Sequence, residues 1–260
     1  MPPFLPRALL ALASFGLASA AHAETLQVKY AVSLSILPIG TASLTGKVNP
    51  DSYNVEVNAR LSGLASMVSS SRAVATAAGN ISGGRISPAT YATTASNPKL
   101  TRTIRMAMSG SAVSGLDISP PFDEIPDRVP VTDASKHNII DPLSAIVMPF
   151  SGDTISASVC PGKLPVFDGG ARFDITMSYS GTRQVKAKGY AGPAVVCAVR
   201  YTPVAGHRPD RPATKFMADN RDIEVWLVPV GTTRVAVPFH IAVKTMTGNA
   251  VVEATEFNVH

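Results

Sequence analysis

Charge and aromatics are sparse in this 260-residue chain: charged residues make up 16%, aromatics 6%, and there are two cysteines and one tryptophan. A hydrophobic content of 45% with so little charge argues against disorder. The formal charge of +5 is scattered. Lys and Arg never form a run of four, and the richest basic stretch, His207 to Arg211, is interrupted by Pro209. A basic stripe with interleaved aromatics is therefore missing, which excludes nucleic acid as a partner. Weak attraction to anionic lipid headgroups or lipopolysaccharide stays compatible with the charge. Beyond residue 23 no apolar run approaches the roughly 18 residues of a membrane span, so no transmembrane segment is expected after that point.

Catalytic patterns are equally scarce. No G-x-S-x-G elbow occurs, and Ser66 lacks the second glycine at the right offset. His137, His207, His240 and His260 form no H-x-H or H-E-x-x-H arrangement, so no metal site is expected, and Gly169-Gly170 is not followed by the lysine of a phosphate loop. No cofactor and no catalytic residue are assigned. The sequence leans away from an enzyme.

The N-terminus does carry a signal. Arg7, the apolar run Ala8 to Ala20 and the A-x-A triplet Ala21-His22-Ala23 read as an export peptide cleaved after Ala23, which places the chain in the periplasm. An even cysteine count in an oxidising compartment favours a disulfide between Cys160 and Cys197; two buried thiols or one reactive thiol are the alternatives. Neither follows the leader directly, so a lipid-anchor motif is lacking.

The dominant hydrophobic period is two. Leu26, Val28, Tyr30 and Val32 alternate with polar residues, as do Tyr53 to Ala59, Phe173 to Tyr179, Val195 to Tyr201 and Val235 to Val243. Turn residues punctuate them at Asn49-Pro50-Asp51, Ser82-Gly83-Gly84, Asn97-Pro98, Asp168-Gly169-Gly170 and Thr247-Gly248-Asn249. This pattern implies about a dozen antiparallel strands. Two short helices are expected. One lies near residues 62–70, from the spacing of Leu61, Leu64, Met67 and Val68; the other begins at Asp141-Pro142, where a cap precedes proline and Pro149 ends the turn. The expected fold is mainly β: a single antiparallel sheet curled into an incomplete barrel or spiral with two short helices, one domain over 24–260. The proline-rich stretch near 119–131 is the candidate internal joint.

Asp168-Gly169-Gly170-Ala171-Arg172-Phe173-Asp174 is the most distinctive string. It reads as a tight turn in which Asp168 bonds back to the backbone, with Arg172 pairing to an acid on a neighbouring strand. Asp168, Arg172 and Asp174 also form a candidate polar site, either as a carboxylate pair or as oxygen ligands, although the spacing does not match an EF-hand. Trp226 either fills core volume or lines an apolar cavity.

Ile39-Gly40-Thr41-Ala42, Asp141-Pro142-Leu143-Ser144-Ala145, Phe167 to Asp174 and Glu224-Val225-Trp226-Leu227, in that order, resemble an exported proteobacterial family, domain-of-unknown-function family 3108. The spacing of Cys160 and Cys197, with Gly206-His207-Arg208-Pro209 soon after, is similar to its alphaproteobacterial branch. The resemblance implies a periplasmic β-rich protein with no established reaction, and it transfers no catalytic residue.

The reading that results is a non-enzymatic binding or maintenance protein of the cell envelope, its curled sheet holding a lipid or acyl chain against Leu26, Val28, Tyr30 and Trp226. The alternatives are a hydrolase of an envelope polymer using Asp168 and Asp174 or a loop histidine, and a structural protein docking on peptidoglycan or an outer-membrane partner.

Overall fold

The computed structural model describes residues 24–61, 71–160 and 162–260. The expected leader and the expected helix at 62–70 lie outside the described residues. Seven strands come first: β1 (Glu24–Leu34), β2 (Leu37–Val48), β3 (Ser52–Leu61), β4 (Arg72–Ser82), β5 (Arg85–Ser96), β6 (Thr101–Ser109) and β7 (Ala112–Ser119). A largely irregular stretch then carries the two-residue strand β8 (Met148–Pro149). The remaining elements are β9 (Gly162–Phe167), β10 (Arg172–Ala187), β11 (Tyr190–Ala205), helix α1 (Pro212–Asp219), β12 (Ile223–Pro229), β13 (Val235–Thr245) and β14 (Gly248–Val259).

All strands join one antiparallel sheet in the order β7-β6-β5-β4-β3-β2-β1-β14-β13-β12-β11-β10-β9, with β8 added beside β13. Period-two patterning makes this meander, and the turns suit it. Gly83 and Gly84, at φ +57° and +71°, supply the two positive-φ positions that a two-residue hairpin loop needs between β4 and β5. The sheet does not close. Its terminal strands β7 and β9 do not pair with each other; the segment 137–140 stands between them. Ile139 N donates to Ser111 O at 2.9 Å, Ile140 N to Pro165 O at 2.9 Å, and Phe167 N to Ile140 O at 3.0 Å.

Beyond the His240–Glu253 pair β13 and β14 part, and β8 takes the vacated edge of β13 through Val235–Pro149 and Ala236–Met148. The tip of the long β10–β11 hairpin returns to β14, where Phe257 N donates to Lys188 O at 2.7 Å. Tyr190 thereby packs against Phe257 and Phe239, with centroids 5.3 and 6.1 Å away.

The segment after residue 137 contributes to two cores. Ile139, Leu143 and Val147 pack with Leu26, Leu44 and Tyr53. Met148, Phe150 and Val159 pack with Val195, Cys197 and Leu227. Cys160 and Cys197 form a disulfide that ties this segment to β11.

Helix content differs from expectation. Asp141 does cap its turn, its Oδ1 accepting from Leu143 N at 3.0 Å and Ser144 N at 2.8 Å. The capped segment is only a single 3-10 turn, Ser144–Ile146, because Met148 is drawn into strand pairing two residues later and leaves no length for a helix. The α-helix among the described residues, α1, lies where the hydrophobic pattern predicts none. It starts at Pro212, whose fixed φ and missing donor suit the first turn, but it buries no residue fully and so leaves little periodic trace.

Candidate functional site

Strand phase leaves space inside the N-terminal half of the sheet. The inward positions near the middle and far end carry Leu44, Val55, Tyr53 and Tyr91, which meet the 139–147 segment and are buried. Toward the other end the same in-phase positions carry Gly40, Ala59, Ala73, Thr93 and Ala95, which are too short to reach across. The result is a cavity of about 540 Å³, walled additionally by Val32, Leu61, Leu100, Ile104 and Phe122. Arg60, Arg72 and Arg102 are its charged neighbours, and no acidic residue lines it among the described residues. Arg102 is engaged: it donates to the carbonyls of Pro120 and Pro121 at 3.0 and 3.1 Å and lies 4.4 Å above the Phe122 ring. It thereby holds the proline-rich stretch against the cavity.

A second, smaller space of about 240 Å³ lies between the 142–148 segment and β9 to β13. Its lining is almost wholly apolar, with Leu164, Phe173, Ile175, Met177 and Ile241 contributing and Glu224 at its margin.

The residues singled out from sequence fall at three separate places. Leu26 and Val28 are fully buried in the main core, and Tyr30 is nearly so, its Oη donating to Pro238 O at 2.7 Å. Burial pushes the Tyr30 phenol well above its ordinary pKa. None of the three lines the 540 Å³ cavity. Trp226 is half-buried, stacked on His240 at 4.2 Å, with the Arg183 guanidinium 5.0 Å away and its Nε1 donating to Glu224 Oε1 at 3.1 Å.

At the polar string, Asp168 Oδ1 accepts from Gly170 N at 2.8 Å and Ala171 N at 2.6 Å, so it closes its own turn. Asp174 is buried and pairs with Lys163 at 2.8 Å and Arg172 at 3.4 Å. Arg172 thus meets an acid on its own strand, and its Nη1 also donates to the carbonyls of Ser135 and His137. No hydrogen bond or ion pair links Asp168 to the Arg172–Asp174 pair among the described residues. Nor do the described residues contain three His, Cys, Asp or Glu grouped to hold a metal ion.

The histidines are dispersed. His137 is held by the backbone bridge to Ala112, and His260 by its paired backbone bonds with Thr25. His207 and His240 each have a buried Nδ1 without a hydrogen-bond partner among the described residues. Sequence reasoning missed the cavity residues. Their signal was the run of small side chains in strand phase, Ala73, Ala75 and Ala77 on β4, with Ala59 and Ala42 in register beside Ala73 and Gly40 two residues before Ala42.

These features define a barrel-like protein whose single antiparallel sheet is curled but open and keeps an unfilled interior. The chain belongs to the family described as protein of unknown function DUF3108, whose family model matches residues 28–255. Among solved structures it is similar to the beta-barrel-like protein of domain of unknown function DUF1849 from Brucella abortus. The two share 6% identity and superpose with a TM-score of 0.50, covering 91% of this chain and 98% of that one, which is a likeness of fold. No curated protein matches the sequence. No helix among the described residues is long and apolar enough to cross a membrane.

Proposed function

We propose that this is an exported, non-enzymatic protein of the periplasmic cell envelope that holds an apolar ligand of the acyl-chain class inside its curled sheet. The observation that carries the reading is the 540 Å³ cavity, a volume within the range of small-molecule sites, left by Gly40, Ala59, Ala73 and Ala95 where larger side chains would have filled it. Export is supported by the Arg7 to Ala23 leader pattern and by the disulfide, which persists in an oxidising compartment. The proposed ligand-lining residues are those of the cavity wall, while Leu26, Val28 and Tyr30 pack the core beside it. The hydrolase reading gains no support, because Asp168 is occupied by its own turn and Asp174 by two cations.

Native mass spectrometry on protein purified gently, without reducing agent, tests this. The expected species is heavier than the chain and sheds a lipid-sized mass on denaturation. Ala73→Phe, which fills the cavity from β4, is expected to abolish the added mass while the protein stays folded. A bare chain in wild type, or an added mass that Ala73→Phe leaves in place, would overturn the assignment.

A further inference from the structure

The antiparallel order brings the β1–β2, β5–β6 and β13–β14 turns to the same end of the sheet, the end at which Val32, Leu61 and Leu100 line the cavity. Large apolar side chains project from these turns. Ile36 is 93% exposed, Leu37 56%, Met246 59% and Leu100 39%. The first and last of these turns are joined, Ser35 N donating to Asn249 O at 2.6 Å, so Ile36 and Met246 crown one continuous rim.

Just behind the rim, Arg60 on β3 and Arg72 on β4 stand directly opposite each other, flanked in the same row by Thr41 and Ser96. Like charges in directly opposed positions of a sheet repel. Neither arginine has an ion pair among the described residues, and Arg60 has only a 3.4 Å contact to Thr41 Oγ1. By contrast Arg105 on the same sheet is paired with Asp117 at 3.1 Å. Acids do lie at this end, but Asp222 is paired with Lys244 at 3.0 Å, Asp123 and Glu124 follow the cavity-lining Phe122 in the loop after β7, and none of the three is ion-paired to Arg60 or Arg72 among the described residues. Exposed apolar tips with unneutralised cations set just behind them match the layering of an anionic membrane surface, acyl boundary first and headgroup phosphates next.

We infer that this rim is a membrane-docking surface. Ile36, Leu37, Leu100 and Met246 enter the headgroup–acyl boundary of an anionic leaflet, Arg60 and Arg72 meet its phosphates, and the cavity mouth faces the bilayer. The facing of the mouth rests on the acyl-ligand reading; the docking itself does not.

The test is flotation of the protein with vesicles of phosphatidylcholine alone and of equimolar phosphatidylcholine and phosphatidylglycerol. Wild type is expected to float with the anionic vesicles and much less with the neutral ones. Ile36→Ser with Met246→Ser, and separately Arg60→Gln with Arg72→Gln, are each expected to lower the partition about tenfold, whereas Arg105→Gln leaves it unchanged. Wild type that does not float, or both double variants floating as wild type does, would overturn the docking. So would sedimentation showing that the tips mediate self-association, lost in the Ile36→Ser, Met246→Ser protein, with no vesicle binding. Native mass spectra of the same proteins separate the two readings: flotation without any retained ligand upholds the rim and removes the acyl-ligand reading, and retained ligand without flotation does the reverse.

Discussion

Tyr53 Oη and Ser144 Oγ lie 2.6 Å apart, a buried hydrogen bond that ties β3 to the segment plugging the sheet across 91 residues of chain. Burial pushes the Tyr53 phenol upward in pKa, and the hydroxyl has no water to turn to if its partner is lost. Tyr53→Phe is expected to destabilise by about 1–3 kcal/mol, because it strands the Ser144 hydroxyl in the core. The double variant Tyr53→Phe, Ser144→Ala is expected to lose less than the two single losses summed, since it leaves neither polar group alone. Urea titrations of the four proteins measure this; additive losses would show that the pair is not coupled.

Asp141 begins the same plug and is fully buried, with Oδ1 bonded to two amides and Oδ2 without a hydrogen-bond partner among the described residues. Desolvation raises its pKa above the ordinary carboxylate value, the hydrogen bonds from Ser144 and Leu143 opposing in part. The folded protein therefore binds this proton at a pH where the unfolded chain has released it. The group costs stability at neutral pH, and the cost is relieved as pH falls through the raised value. Asp141→Asn keeps an oxygen for both amides and removes the charge. Thermal melts at pH 7 and pH 5 are expected to show wild type gaining on the variant at the lower pH; a gap independent of pH would count against a raised carboxyl.

Much of this architecture is written in strand phase. Leu26, Val28 and Tyr30 alternate in sequence and form one buried row in the structure, and Gly83-Gly84 turns where the spacing placed a turn. Cys160 and Cys197 are paired, one of the alternatives that the cysteine count left open. What phase does not encode is where the row stops being filled. The cavity depends on Ala42, Ala59, Ala73 and Ala95 standing side by side on four strands, with Gly40 in the next inward position of β2, and that register is set by hairpin lengths and by the bulge near Ala78 and Gly79. Nor does phase foretell that Met148 and Pro149 add to β13, which turns an expected helix into a single 3-10 turn. The apolar tips Ile36 and Met246 are invisible in sequence for the same reason. A lone apolar residue in a turn means nothing until the topology gathers several at one end.

The disulfide closes a loop with a sequence separation of 37 and secures residues that cover the second core. Reducing it releases that loop in the unfolded chain, an entropic loss of about 4 kcal/mol on the chain-entropy model. Cys197→Ala with Cys160→Ala is expected to lower the unfolding free energy from urea titration by an amount of that order and to raise binding of an apolar dye, as Met148, Phe150 and Val159 loosen from β11 to β13. If stability is unchanged by the substitution or by dithiothreitol, the bond is not holding the covering segment.

His240 offers a readout that needs no label, because Trp226 is the sole tryptophan and stacks on its imidazole at 4.2 Å. The histidine side chain is 12% exposed, its Nδ1 is unbonded, and Glu253 Oε2 lies 3.9 Å away. Desolvation lowers its pKa below the ordinary value of 6.5, with Glu253 and Glu224 pulling the other way and losing. A histidine kept neutral by the fold contributes stability that is complete above 6.5 and is lost as pH falls through the lowered value, since the unfolded chain then binds the proton more readily. Imidazolium accepts an electron from excited indole and quenches it, whereas neutral imidazole does so weakly. Emission from Trp226 is therefore expected to stay level from about pH 8 to 6.5 and to fall below that, with a midpoint under the ordinary histidine value. His240→Gln is expected to abolish the transition and to reduce the loss of stability on acidification. A midpoint above 6.5 would instead mean that Glu253 and Glu224 outweigh desolvation, and protonation of His240 would then add stability as pH falls rather than remove it.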